Sequence, residues 1–277
     1  MKKLFLFALL FGTGLFTQAQ NIGGEATYKT AGSIPFKMEG DQMTPEMKKM
    51  IEERMAKAMQ KEFTLQFNRN ESLYEEVVEL EKEGQRGMRF MSMFTGGGGT
   101  YYKNIKENRY TDQTEFFGKT FLIKDSLEKL DWKIEKETKS IGNYICQKAT
   151  AMRIREALTI KGNPREGMKD SAVVDTIYLT AWFTMQIPVS HGPGQYHGLP
   201  GLILELNDGD ITILCTKVSL NTKETVSIEE PDSGEEVNEE EYQEITQKKL
   251  EEMQQNFGGG QGRGGGGGRS FEITIGR

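Results

Sequence analysis

The sequence predicts a mainly β fold, in which a curved antiparallel sheet or open half-barrel meander is decorated by two helices at about 44–62 and 238–257. Short runs of alternating apolar and polar residues recur about every ten residues, which is typical of an antiparallel meander. Turn-forming sequences rich in Gly, Asn and Asp separate these runs. Two other stretches repeat apolar residues every three or four positions, which is the helical period.

The chain begins with a predicted signal peptide, residues 1–19. Lys2 and Lys3 precede an apolar run that is shorter than the roughly 20 residues a helix needs to cross a bilayer. Ala19 provides the small residue that cleavage needs. We therefore expect an exported protein of the periplasm or cell envelope, or a secreted one. No later stretch is apolar and long enough to predict a transmembrane span.

Charge and glycine content define the rest of the organisation. Removing Lys2 and Lys3 makes the formal net charge of −6 two units more negative, and an acidic protein is a poor ligand for nucleic acid.

Residues 20–257 are predicted to form a single β-rich domain. Residues 258–270 are nearly all Gly and Arg, and glycine loses too much backbone freedom to hold regular structure there. Residues 271–277 either return to the sheet edge as a strand or dock to a partner by strand addition.

The first helix is a predicted insertion at 44–62. Thr44 is a favourable cap and Pro45 suits the first turn. Met47, Ile51 and Met55 follow at a spacing of four, so they share one face. That face either covers the core or offers an adaptable surface to a partner or a lipid. No His or Cys accompanies these methionines, so no copper site is predicted.

The strands follow in order, with turns between them. The runs 63–67 and 72–80 predict a hairpin around 68–71, and the charged, Met-rich and Gly-rich stretch 81–99 predicts a mobile loop. Further strands are predicted at 101–104, 109–112, 119–125, 132–135 and 143–155, with a turn region at 162–169. Asp208-Gly209 predicts a tight turn between strands 202–207 and 211–220. Asn238 is the predicted cap of the second helix.

Two cysteines, Cys146 and Cys215, lie in separate strand-like runs. Because the expected compartment is oxidising, they either form a disulfide or remain two buried thiols. A disulfide across this chain separation stabilises a fold by about 4 kcal/mol in the chain-entropy account. Their spacing does not match a metal site.

The residues between the strand at 178–184 and the strand at 202–207 predict a rigid corner. Leu199-Pro200-Gly201-Leu202 fits a type II turn, in which Gly201 takes the positive φ. The corner either only defines the fold or shapes the mouth of a cleft and offers backbone N–H groups to a ligand.

Polar residues at the corner suggest chemistry without completing a site. His191 and His197 have no carboxylate or thiolate companions nearby, so no metal or cofactor is predicted. Ser190 and His191 are adjacent and point in different directions, and no GxSxG motif exists, so no catalytic residue is assigned. The candidate ligand-binding or partner-binding residues are Trp182, His191, Tyr196, His197, Leu199, Pro200 and Gly201 at the corner, and Met47, Ile51 and Met55 on the first helix.

The six residues 198–203 spell Gly-Leu-Pro-Gly-Leu-Ile, and blocks at 101–104, 118–125, 141–149, 181–184 and 187–189 accompany them. Over about 26–250 the chain is similar to the GLPGLI proteins of the Bacteroidetes cell envelope. The resemblance implies an exported, mostly antiparallel β protein and provides no catalytic residues. His191 and His197 stand where the family has variable, often aromatic, residues.

Together these observations favour a non-enzymatic envelope protein that binds a hydrophobic ligand, a peptide or an envelope or outer-membrane protein. In this interpretation, the helix at 44–62 lies near the concave face of the sheet. The alternative is an envelope hydrolase with its site at 190–201.

Overall fold

The computed structural model describes residues 22–32, 36–39, 44–77, 99–163, 167–209, 211–221, 227–258 and 270–276. The predicted signal peptide, nearly all of the loop 81–99 and most of the Gly/Arg tract lie outside the described residues.

Within the described residues, fourteen strands join one sheet and two helices accompany it. The strands are β1 (Gly23–Gly32), β2 (Phe36–Glu39), β3 (Glu62–Phe67), β4 (Glu71–Glu76), β5 (Thr100–Asn104), β6 (Arg109–Phe116), β7 (Lys119–Ser126), β8 (Lys133–Ile141), β9 (Tyr144–Asn163), β10 (Gly167–Thr184), β11 (Leu202–Asn207), β12 (Ile211–Asn221), β13 (Glu235–Val237) and β14 (Ser270–Gly276). The helices are α1 (Pro45–Ala58) and α2 (Glu239–Gly258).

The strand order is β13-β7-β6-β5-β4-β3-β1-β12-β11-β10-β9-β14-β2, and β8 pairs with β9 beside this path. Neighbouring strands are antiparallel, except that β13 pairs with β7 in parallel at one edge. The two ends of the order do not meet, so the sheet is open. The predicted fold class, a mainly β protein built on a curved antiparallel sheet, is confirmed.

Short-range sequence signals fix the predicted hairpins and helix starts. At the β3–β4 turn, the Asn68 side chain accepts hydrogen bonds from the amides of Asn70 and Glu71, at 2.9 and 2.8 Å. Gly209 takes a φ of 93° between β11 and β12, as the tight turn requires. The side chain of Asn238 caps α2 by accepting from the Glu241 amide at 2.9 Å.

Helix α1 is capped at its start, and helix α2 packs against the sheet. The hydroxyl of Thr44 accepts from the Met47 amide at 3.3 Å and caps α1. α2 contacts β7 and β10, and its buried Tyr242 meets Phe121 edge-to-face with ring centres 5.3 Å apart. Neither helix is long and apolar enough, in its described part, to cross a membrane.

Both cysteines are buried in one core cluster between the sheet and the corner. Each is a free thiol, and burial raises the pKa of each to about 11, so both are protonated at neutral pH. A disulfide between them stays a prediction.

Candidate functional site

The corner, residues 185–201, joins β10 to β11 and is closed by its own backbone. The amides of Val189 and Leu202 both donate to the carbonyl of Ile187, at 2.8 and 3.0 Å. The amide of Ile203 donates to the carbonyl of His191 at 3.0 Å. The corner is therefore rigid, but these N–H groups already have partners and are not offered to a ligand.

Gly201 has a different role from the predicted one. The type II turn is wrong, because Gly201 does not have a positive φ, whereas Gly198 has a φ of 95°. Gly201 is needed because the chain passes close to β10. A Cβ at this position would lie 2.1 Å from the carbonyl oxygen of Thr184, which is far inside van der Waals contact.

Lys103 on β5 binds the corner through long-range contacts that no local sequence pattern predicts. Its side chain is buried, and its ammonium donates to the carbonyls of Gly192 at 2.8 Å, Tyr196 at 3.0 Å and Gly194. Burial lowers the pKa of Lys103 to about 7. A carbonyl oxygen can only accept a hydrogen bond, so the three carbonyls favour the protonated, charged form of Lys103. This arrangement fixes three residues of the loop to one strand.

His191 is fully buried beside this lysine. Burial, and then the charge of Lys103, hold its pKa well below the usual value, so its ring is neutral. The backbone carbonyls of Asn68 and Arg69 oppose that shift without reversing it. A neutral imidazole in this place is part of the packing of the corner.

The residues of the alternative hydrolase prediction are not arranged as a catalytic pair. The Ser190 hydroxyl donates to the carbonyl of Leu199 at 2.9 Å, and neither ring nitrogen of His191 receives a hydrogen bond from it. His191 and His197 meet through an isolated antiparallel backbone bridge. Among the described residues, no group of three His, Cys, Asp or Glu side chains is placed to hold a metal.

The predicted binding residues are spread between interior and surface. Trp182 is half-buried under the ammonium of Lys139, which lies 4.3 Å from the ring centre and bonds Glu205 at 2.7 Å. The carbonyl of His197 accepts from the indole of Trp132 at 2.8 Å. Of the remaining corner candidates, three are buried and one, Pro200, is exposed; the buried ones are Tyr196, Leu199 and Gly201. On α1, Met47 is half-buried. The side chains of Ile51 and Met55 lie outside the described part of the structure. Their binding role stays a prediction.

Among the described residues, several exposed apolar side chains lie together on the ribbon formed by β9 and β10. Met152, Ile154, Val174 and Tyr178 are each 67–71% exposed. Met152 pairs directly with Tyr178, and all four residues have even numbers on two strands that pair without a register shift. They therefore share one face, on which Thr176 lies between Val174 and Tyr178. We call these four residues the ribbon face.

The other side of the same ribbon is buried. Ala151, Ile177 and Leu179 pack there in a core cluster with the corner residues Tyr196 and Leu199. The ribbon is thus apolar on both sides, although only one side is covered. Adjacent apolar residues, as at 151–152 and 177–179, are the sequence signal for this pattern.

Comparison with known proteins finds one matching family model, to which no activity is assigned. A family model described as "Protein of unknown function (Porph_ging)", named for the Bacteroidetes species Porphyromonas gingivalis, matches residues 132–205. This range contains β8, the ribbon and the corner. The narrower resemblance to GLPGLI proteins stays a prediction.

No curated protein matches the chain. Two solved structures of PNGF-II, in space groups P21 and C2, resemble it with TM-scores of 0.47 and 0.45 at 15% sequence identity. The similarity covers 83% and 82% of this chain but 34% and 33% of PNGF-II, so the chain spans about a third of that protein's length.

Proposed function

We propose that this protein is an exported, non-enzymatic envelope protein of the GLPGLI type, and that its ribbon face binds an apolar peptide segment of another envelope protein. The observation that supports this most is the exposure of four large apolar side chains on one face of two paired strands. Contiguous exposed apolar surface is characteristic of interaction sites, since burying it is favourable by about 25 cal/mol per Å².

A peptide suits the spacing of the ribbon face better than a compact ligand does. Along a strand, side chains on one face recur every second residue, about 6.8 Å apart. An extended peptide has the same repeat, so its alternate side chains can meet those of the ribbon face in order. Met152 is flexible and polarisable, which favours apolar partners of varied shape.

Export is supported by sequence alone. Lys2, Lys3 and the apolar run after them have the form of a signal peptide, and the matching family model is named for a Bacteroidetes species. The absence of an assembled nucleophile and base at Ser190 and His191 makes binding the better-supported function.

Binding can be tested with a fluorescein-labelled ten-residue peptide in which Val and Thr alternate, compared with a scrambled peptide of the same composition. We expect fluorescence anisotropy to show binding of the alternating peptide. Met152→Thr and Tyr178→Thr should each weaken it by about tenfold, which corresponds to about 1.4 kcal/mol. Ile145→Thr is the matched control. Ile145 is 66% exposed on β9, but its odd-numbered position places it on the opposite face of the strand from Met152 and Ile154.

The same assay separates the competing functions. Binding to phosphatidylglycerol vesicles without binding to the peptide would replace the peptide by a lipid surface. Hydrolysis of the peptide that stops in Ser190→Ala would favour the hydrolase with its site at 190–201. Equal affinity for the alternating and scrambled peptides would refute the proposal.

A further inference from the structure

One edge of β9 is open between two strands. On one side β9 pairs with β10 continuously, from Gln147 to Asn163. On the other side β8 pairs with β9 only as far as Thr150, and β14 begins to pair at Ala157. No strand of the described chain pairs with the stretch 151–156 on this side. We call this stretch the β9 slot.

The direction of the backbone groups follows from the β8–β9 hairpin. Its loop has two residues, Gly142 and Asn143, so Ile141 and Tyr144 form a hydrogen-bonded pair and Tyr144 directs its N–H and C=O toward β8. The register of β9 against β10 has no bulge, so every second residue after Tyr144 points the same way.

An independent contact shows the same alternation in the direction of the backbone groups along β9. The amide of Ile145 donates to the side chain of Gln186, which follows β10, so odd-numbered residues of β9 face β10. Met152, Ile154 and Glu156 therefore direct their N–H and C=O groups into the β9 slot. Backbone groups that no strand of the described chain pairs with are a ready template for another strand.

The flanking strands β8 and β14 limit what can bind in the β9 slot. A second copy of this protein would bring its own β8 and β14 in the plane of its β9, and these would collide with the strands beside the slot. The unpaired stretch has six residues and is about 20 Å long, so only a short extended segment can lie in the plane of the sheet between β8 and β14.

Side-chain chemistry further restricts the segment. The side chains of Met152 and Ile154 stand on the ribbon face next to the slot, so apolar residues at alternate positions of the segment would pack against them. A segment antiparallel to β9 would continue the line of β14 toward the start of β8 and end near the exposed Lys133. A carboxylate at its C-terminal end would complement that ammonium.

We propose that the β9 slot captures the partner by strand addition, taking an extended segment of alternating apolar residues with a carboxylate at its C-terminal end. This inference rests on the proposed function and adds the mode of binding.

Backbone-modified peptides test it without changing the protein. The probe is the alternating Val/Thr peptide with a C-terminal Glu, made with N-methyl groups either on the amides of one parity or on those of the other. Strand addition predicts that one N-methylated form loses affinity at least tenfold while the other binds like the parent. Equal affinity of both forms, with Tyr178→Thr still weakening the parent, would overturn the slot and leave the ribbon face as the site.

Hydrogen exchange of the full chain supplies the second measurement. The amides of Met152, Ile154 and Glu156 should exchange fast in the free protein and slow at least tenfold with saturating peptide, whereas Arg153, which faces β10, should not change. Slow exchange at the three amides in the free protein would mean that the chain or a second copy already fills the slot. Sedimentation then tells those two cases apart, and either one overturns the inference.

Discussion

The buried lysine under the corner gives the sharpest prediction about stability. Lys103→Met keeps a side chain of similar length but removes the ammonium that three carbonyls accept from. Each of the three buried carbonyls left without a donor costs about 1–3 kcal/mol, which gives about 3–9 kcal/mol in total. Because burying an ammonium is itself unfavourable and the mutant no longer does so, the lower part of this range applies. We therefore expect the free energy of unfolding to fall by about 3–5 kcal/mol.

Urea unfolding followed by tryptophan fluorescence measures this loss, because the indole of Trp132 is hydrogen-bonded to the corner at His197. Lys124→Met is the matched control. Lys124 pairs with Glu236 at 2.6 Å on the surface, where such a pair contributes at most about 1 kcal/mol. A loss below about 1 kcal/mol for Lys103→Met would refute the argument that this lysine fixes the corner.

If Lys103→Met does not fold, the wild type still provides a test. Because burial lowers the folded-state pKa of Lys103 to about 7, the unfolded state holds more protons above that pH. The contribution of this group to the free energy of unfolding must then rise from pH 7 toward pH 9. A flat or falling profile would mean that the carbonyls, rather than burial, dominate the pKa of this lysine.

Three further predictions concern Gly201, His191 and the pair of cysteines. Gly201→Ala should cost more than about 3 kcal/mol in urea unfolding, because its Cβ meets the backbone of β10, whereas Gly209→Ala, in open space at a φ of 93°, should cost about 1 kcal/mol. The neutral, buried His191 should make the free energy of unfolding fall by up to about 1.4 kcal/mol per pH unit below 6.5, since only the unfolded state takes up the proton; His191→Leu should flatten that slope in unfolding curves from pH 7 to 5. Thiol titration of oxidised, denatured protein should find no free thiol if Cys146 and Cys215 form the predicted disulfide, and two if they remain as the structure has them.

Local sequence signals predicted the parts of the fold that local chemistry determines. The Asn68 turn, the Gly209 turn and the Asn238 cap each depend on contacts within three residues, so the sequence shows them directly. The alternating runs likewise predicted an open antiparallel sheet, although they did not show how far β9 and β10 extend.

Long-range contacts account for what the sequence did not show. Lys103 bonds carbonyls 89–93 residues away, and nothing near it in the chain distinguishes it from a surface lysine. The requirement for Gly201 comes from the approach of Thr184, which only the folded corner creates. The predicted binding residues clustered at the corner because its motif is conspicuous, whereas the exposed apolar surface lies on the adjoining ribbon.

Site-specific photo-crosslinking shows whether the ribbon face recognises a partner. A benzoylphenylalanine placed at Tyr178 should crosslink to the alternating peptide, and in intact cells to one protein partner. The same group placed at Ile145 or at the exposed Pro200 of the corner should give no crosslink above background. Crosslinks from Pro200 without any from Tyr178 would rule out recognition by the ribbon face and place the site at the corner.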